Sequence, residues 1–246
     1  MIPSYSGPTW WISNNGDDEF GDGSKENPFQ SIVWPFQHVV SNDQNQQGFG
    51  FFNDGDTIRI MASNDDYHTA GSKIQISRNE GDPNTNIEAG GISYSAQLTN
   101  FTIMGDSNDP SDARINGSPQ GHFVLNGIKA TFKNLTLQNS NNENAAGAID
   151  AFDAEIIVDN TFFRDNYSGN SGGAIQLFKS SASIITAGIS CSPAFCDASH
   201  LLSPAIISNF ELSEFDFLTI IGWITPRSLI ELVRSSKFVS SKIFRG

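Results

Sequence analysis

Cysteine is nearly missing: Cys191 and Cys196 are the only two in 246 residues, and both come late in the chain. A disulfide framework is therefore excluded, and their spacing does not make a metal motif. Cations are scarce too, with 14 Lys and Arg against 27 Asp and Glu, so the formal net charge is -13. Phosphate recognition needs a basic patch, which excludes nucleic acid as a partner and disfavours anionic membrane surfaces. Long apolar runs are also lacking. The most apolar stretch, Phe215 to Ile224, carries Asp216 and falls short of the roughly 20 residues needed to cross a bilayer, so no transmembrane segment is expected. No charged n-region and apolar h-region follow Met1, so a secretory signal is expected to be absent or to lie outside this chain. The four histidines, His38, His68, His122 and His200, have no metal-ligand spacing.

What is present is Gly, Asn, Asp and Ser in abundance, a composition suited to many short strands joined by turns. Thr57-Ile58-Arg59-Ile60-Met61-Ala62 alternates as a strand with one buried face does. Further short apolar runs follow at Ile74–Ile76, Phe101–Ile103, Phe123–Leu125, Leu135–Leu137 and Ile156–Val158, with little room between them for crossover helices. That excludes an ordinary α/β sheet. Earlier, Trp10-Trp11-Ile12 makes an entry strand, and Pro35 starts a short amphipathic helix with Phe36, Val39 and Val40 on its apolar face. Such a helix would cover the open first layer of a stacked structure, whose strand edges are otherwise unpaired.

An internal repeat decides the fold class. Phe132-Lys133-Asn134-Leu135-Thr136-Leu137-Gln138-Asn139-Ser140, ending at Gly147-Ala148-Ile149, aligns without a gap on the segment from Val158 to Asn166, ending at Gly173-Ala174-Ile175. Ile149 to Ile175 sets the period at 26. One such unit cannot bury its own apolar face and must stack on its neighbours, strand on parallel strand. Equivalent residues then lie above one another. Leu137 with Phe163 and Ile149 with Ile175 line the core, Asn134 with Asn160 forms an amide ladder, and Gly147 and Gly173 serve the turns. The expected fold is all-β, a right-handed parallel β-helix. Residues 1–53 would form a cap and entry strand, 54–185 the β-helix, and 186–246 an atypical tail.

These residues resemble the repeats of polymorphic outer membrane proteins, whose signatures are Gly-Gly-Ala-Ile and Phe-x-x-Asn. Gly172-Gly173-Ala174-Ile175 and Phe163-Arg164-Asp165-Asn166 match in full, while the preceding unit has Ala146 and Leu137 in place of the first Gly and the Phe. The opening, from Trp11-Ile12-Ser13 through Asn27-Pro28-Phe29 to Gly55-Asp56-Thr57-Ile58, is similar to the start of pectin-lyase-like proteins. The resemblance spans about residues 10–185. It implies a secreted or surface-exposed segment of adhesin type, a passenger without its translocator, since no barrel can be read in this sequence.

After Ile185 the periodicity is lost, since Thr186 stands where the step predicts Asn. The tail's five acidic and five basic residues cancel, so the whole -13 belongs to residues 1–185. Composition, charge and period change together. The tail is therefore expected to be foreign to the fold, truncated or out of frame, with a helical cap as the competing reading.

Three functions compete. The first is a non-catalytic extracellular or cell-surface segment that binds glycan or another surface. The second is a calcium-dependent polysaccharide lyase, in which acidic residues hold the ion and an amine takes a proton. The 26-residue step lays Gln176 on Asp150 and Lys179 on Asp153, so the lyase would use Asp150, Asp153 and Lys179. The third is a passive spacer. Asp106 and Asp109 are weak candidates for calcium, lacking the Glu that completes a calcium loop, and no cofactor is expected on the first reading. The aromatics Trp10, Trp11, Phe51, Phe52 and Tyr67 could stack on sugars but are expected to pack in the core or cap. Asn100, Asn116, Asn134 and Asn166 begin glycosylation sequons.

Overall fold

The computed structural model describes residues 5–41, 50–69, 71, 73–82, 84–117, 121–142, 147–168, 174–184, 187–190 and 210–212. Gly173 and most of the tail lie outside them. In chain order the elements begin with β1 (Thr9–Ile12), α1 (Val33–Phe36), β2 (Thr57–Ile60), β3 (Tyr67–His68), β4 (Ile74–Ser77), β5 (Thr85–Ala89), β6 (Ile92–Ala96) and β7 (Asn100–Gly105). A 3-10 turn at Pro110–Asp112 leads to β8 (Arg114–Asn116), β9 (Phe123–Asn126), β10 (Lys129–Gln138), β11 (Asn141–Asn142), β12 (Ile149–Phe152) and β13 (Glu155–Arg164). The last are β14 (Tyr167–Ser168), β15 (Ile175–Phe178), β16 (Ser181–Ile184), β17 (Ala187–Ser190) and β18 (Phe210–Leu212).

The fold is all-β and mostly parallel. One sheet runs β1-β2-β7-β10-β13-β16-β18, with β8, β3 and β17 alongside; a second runs β15-β12-β9-β4-β5-β6; β11 and β14 make a third. The repeat fixes the register. Ile149 lies opposite Ile175, Leu137 opposite Phe163, and Phe132 opposite Val158. Inward positions of β4, β9 and β12 are Ile74, Ile76, Phe123, Leu125, Ile149 and Ala151, all buried. With Trp10, Phe29, Phe36, Phe52, Phe101 and Phe132 they join one core cluster. Residues before position 54 thus share both the first sheet and the interior. Each fully buried Ile or Phe contributes about 1.5–3 kcal/mol by leaving water.

The 26-residue step does not govern the whole chain. Thr57 pairs with Thr102 and Thr9 with Thr57, steps of 45 and 48, because insertions lengthen the early layers. One insertion is the hairpin β5–β6, which pairs antiparallel with β4 and was not expected from the sequence. The expected helix is also shorter. It ends at Phe36, and Val39 instead bridges in parallel to Phe52, because the backbone after His38 pairs with the 51–52 segment. Helix and hairpin cover this end together: the Tyr94 hydroxyl donates to the Phe36 carbonyl (2.7 Å) and accepts from the Val39 amide (2.7 Å). The edge of β1 is closed by residues 23–29 through Trp11 N to Gly23 O (2.9 Å) and Phe29 N to Trp11 O (3.0 Å). Pairing also runs past Ile185, where the sequence repeat fades. Thr161 lies opposite Ala187 and Arg164 opposite Ser190, still 26 residues on, and β16 pairs with β18.

Left-handed backbone bends β10 and β13 within their length and turns the chain just after each of them. Asn134 and Asn160 have φ of 54° and 45°, and Asn139 and Asp165 have 57° and 50°, each pair one repeat apart. Asn and Asp tolerate this conformation better than other side-chain-bearing residues.

Candidate functional site

The outer face of the second sheet presents its side chains in rows. Parallel register places Gln75, Val124, Asp150 and Gln176 in one row and Ser77, Asn126, Phe152 and Phe178 in the next. The turn that follows adds a third, Arg78, Gly127, Asp153 and Lys179, tied by Arg78 N to Asn126 O (2.9 Å), Gly127 N to Phe152 O (3.0 Å) and Asp153 N to Phe178 O (3.0 Å). Gly127, Asp153 and Lys179 have φ of 66°, 46° and 51°. At Gly127 a Cβ would sit 2.2 Å from the Arg78 carbonyl oxygen, so only glycine fits. Lys179 holds the same backbone with a long side chain, at a cost of about 1 kcal/mol.

At this turn lies a depression of about 460 Å³, lined by Arg78, Asn79, Glu80, Asn126, Gly127 and Asp153. The Arg78 guanidinium is anchored through Nε to the Asp82 carbonyl (3.1 Å), and the Asn126 amide donates to Ser77 Oγ (3.1 Å). Beside it Phe152 and Phe178 pack with ring centroids 6.1 Å apart, and Phe178 is 54% exposed. The Lys179 ammonium lies 5.8 Å from the Phe178 ring centre. Phe20 and Phe162 are also exposed, but neither has a ring neighbour among the described residues. An apolar ring pair next to amides and carboxylates is an arrangement that holds a polyhydroxylated ring, through its C–H face and its hydroxyls together.

The three residues of the lyase reading fall on this face, stacked as the step requires, but they do not assemble as a catalytic group. Among the described residues no ion pair joins any two of Asp150, Asp153 and Lys179. Asp153 is exposed in the turn, whereas Asp150 is buried and its Oδ1 has no hydrogen-bond partner. Burial pushes the Asp150 carboxyl up to about 6, and the amine that partly offsets this is Lys73 rather than Lys179. Lys73 immediately precedes β4, and nothing in the 26-residue alignment points to it.

The calcium candidates are otherwise engaged. Asp106 is paired with Arg59 (2.9 Å) and Lys25 (3.5 Å). Asp109 caps the 3-10 turn, accepting from Ser111 N (2.9 Å) and Ser111 Oγ (2.7 Å), bonds that hold its carboxyl below the usual range. No group of three His, Cys, Asp or Glu is placed to hold a metal among the described residues.

The amide ladder has a rung the two-repeat alignment missed. Asn160 Nδ2 donates to Asn134 Oδ1 (2.9 Å), and also to the carbonyl of Asn108 (2.7 Å), one further step of 26 before Asn134. The other placements follow the core expectation. Ile149, Leu137 and Phe163 are buried, and Ile175, at the last layer of the second sheet, is partly so. The Gly147 carbonyl accepts from Ser140 Oγ. Trp10, Phe51, Phe52 and Tyr67 are buried, and Trp11 is covered by Lys25 and Arg59 at 4.6 and 5.3 Å from its ring centre. The four sequon amides are structural: Asn100 bonds Asp54, Asn116 bonds Asp66, Asn134 is in the ladder and Asn166 bonds the Leu137 carbonyl.

The chain matches no protein-family model, no curated protein and no solved structure. Its likeness to the outer-membrane repeats therefore rests on the motifs alone. No helix among the described residues is long and apolar enough to cross a membrane, which leaves strand-built barrels out of account.

Proposed function

We propose that this chain is a segment of a right-handed parallel β-helix of the polymorphic outer membrane protein type, working outside the cell or at its surface and binding glycan without turnover. The observation that carries the binding reading is the adjacent pair Phe152 and Phe178 on the rows of the second sheet, with amides and carboxylates beside it. Phe178 is 54% exposed and Phe152 is half-buried, so the outer part of the pair stays open to a ligand. The repeat motifs support the family assignment and the surface setting. The catalytic alternative is weaker because the amine of Lys179 lies over a ring and Asp150 is buried with an unpartnered Oδ1.

Affinity electrophoresis through gels containing soluble polysaccharides tests the proposal. The full chain should be retarded by at least one of them, and Phe152→Ala with Phe178→Ala should lose at least tenfold in affinity while unfolding within about 2 kcal/mol of the parent. Unsaturated-product absorbance that appears on polyuronate with calcium and vanishes in Lys179→Ala would establish the lyase instead. Absence of retardation on every polysaccharide would leave the spacer.

A further inference from the structure

The rows that carry Phe152 and Phe178 run across four strands, β4, β9, β12 and β15, in unbroken register. Strand-to-strand spacing is about 4.8 Å, close to the advance of one pyranose unit in an extended chain. The depression follows the same direction, since Arg78, Gly127 and Asp153 lie on three successive strands' turns. Of the charged side chains that line it, two are carboxylates and one is a guanidinium; Lys73 and Lys179 lie outside this lining, Lys179 with its ammonium over the Phe178 ring. Glu80 and Asp153 are exposed carboxylates with no ion pair among the described residues, while the Arg78 guanidinium is partly committed to the Asp82 carbonyl. The surrounding body carries the whole net charge of -13, a field that repels polyanions. Carboxylates accept from hydroxyls and cannot accept from another carboxylate.

We infer that the ligand is a neutral, linear, hydroxyl-rich polysaccharide that lies along the stacking direction, one sugar unit to each strand step. Its hydroxyls donate to Glu80, Asp153 and the Asn126 side-chain oxygen, and its C–H faces rest on Phe152 and Phe178. This rests on the glycan-binding reading above and adds the charge and the direction of the polymer. A terminal-sugar binder would need an enclosed pocket, and this depression is only partly enclosed.

An array of linear polysaccharides, neutral, uronate and sulfated, probed with the full chain in the presence of a chelator, tests the charge. A length series of the best neutral binder tests the direction. The expected result is retention on neutral polymers, with affinity rising at least tenfold from disaccharide to tetrasaccharide and then levelling. Glu80→Gln combined with Asp153→Asn should weaken neutral binding about fivefold and raise binding to uronate polymers; Asn tolerates the backbone at 153, and circular dichroism checks the fold. Lys133→Gln, on the other sheet, should change neither. Tighter binding to uronate or sulfated polymers overturns the neutral assignment while leaving glycan binding intact. Affinity independent of length overturns the lengthwise placement. No binding anywhere on the array removes the underlying reading as well.

Discussion

The two outer faces of this molecule use the same stacking to opposite ends. On the first sheet, successive layers bring opposite charges together: Lys129 with Glu155 (2.8 Å), Lys133 with Asp159 (2.5 Å), Arg59 with Asp106 (2.9 Å) and Arg114 with Asp66 (2.6 Å). On the second, Lys73, Arg78, Glu80, Asp153 and Lys179 have no ion-pair partner among the described residues, and half-buried Phe152 and exposed Phe178 pack in neighbouring layers there. Stacking in register puts each side chain above its counterpart, so a face is either closed by its own complementarity or left with unmet capacity. Most charges of the first face are met by their neighbours in the next layer, exposed Arg164 and Phe162 apart. The second has unpaired charges of both signs and apolar area to offer a ligand.

The comparison holds only if both faces are carried by one interior. Phe132, from the first sheet, is fully buried and meets Phe123 of the second sheet at 5.0 Å and Phe101 of its own at 6.3 Å. Phe132→Ala should cost about 3–5 kcal/mol and abolish glycan retardation in the same denaturant range that melts the strands. Two separated transitions would show that the faces belong to independently folding parts.

A smaller break comes at the corner where β10 and β13 bend. Asn134 is buried at φ 54°, its amide oxygen taken by Asn160. Asn134→Ala loses that acceptor and places Ala in a conformation it disfavours, for a cost of about 1–3 kcal/mol. Chemical denaturation should show the loss, and Asn134→Gly should recover part of it by relieving the backbone alone. Equal losses in the two variants would mean that strain contributes nothing.

How much of this was legible depended on where insertions fall. Layers β9, β12 and β15 repeat every 26 residues, so Ile149 over Ile175 and Asp153 under Lys179 could be placed from the alignment. Between β4 and β9 the step is 49, because the β5–β6 hairpin intervenes, and no alignment connects Arg78 to Asp153 across it. Half of the candidate face was therefore out of reach. Asn108 was closer at hand, since the same step taken backwards from Asn134 finds it, but the 3-10 turn after it hides the surrounding match. Lys73 carried no sequence signal because its influence on Asp150 comes through space across the layers. The strand β17 continued the register beyond the point where Thr186 breaks the pattern of turn residues, for backbone pairing does not require the side-chain motif.

Asp150 sharpens the contrast through pH. Its carboxyl is raised from 3.8 to about 6 in the fold, chiefly by burial. Its contribution to stability is therefore complete below pH 3.8 and lost as pH rises through 6. Asp150→Asn cannot ionise, so it should match the parent near pH 4 and exceed it by about 1 kcal/mol at pH 8, after allowance for solvent screening at the sheet surface. His122 works in the other direction: burial drives it down to about 4, and its contribution is lost as pH falls below 6.5. Only the difference between parent and Asp150→Asn, from melting curves between pH 4 and 8, isolates the carboxyl. A flat difference would mean that Asp150 is not desolvated on this face.

The smallest effect belongs to the ion pairs of the first sheet. Lys129 and Glu155 are 47% and 53% exposed, and such pairs in water are worth about 0–1 kcal/mol. Lys129→Gln and Lys133→Gln should each change stability by less than about 0.5 kcal/mol. What the pairs supply is register. A shift of the stacked strands by one residue would place Lys129 beside Ile156 instead of Glu155 and would turn inward side chains out. Lys129→Glu with Lys133→Glu puts like charges on successive layers, and repulsion at both positions should lower stability by more than the two Gln variants together, with the excess fading in high salt. An equal loss in the Gln and Glu series, unchanged by salt, would show that the charges on this face do not recognise their neighbours.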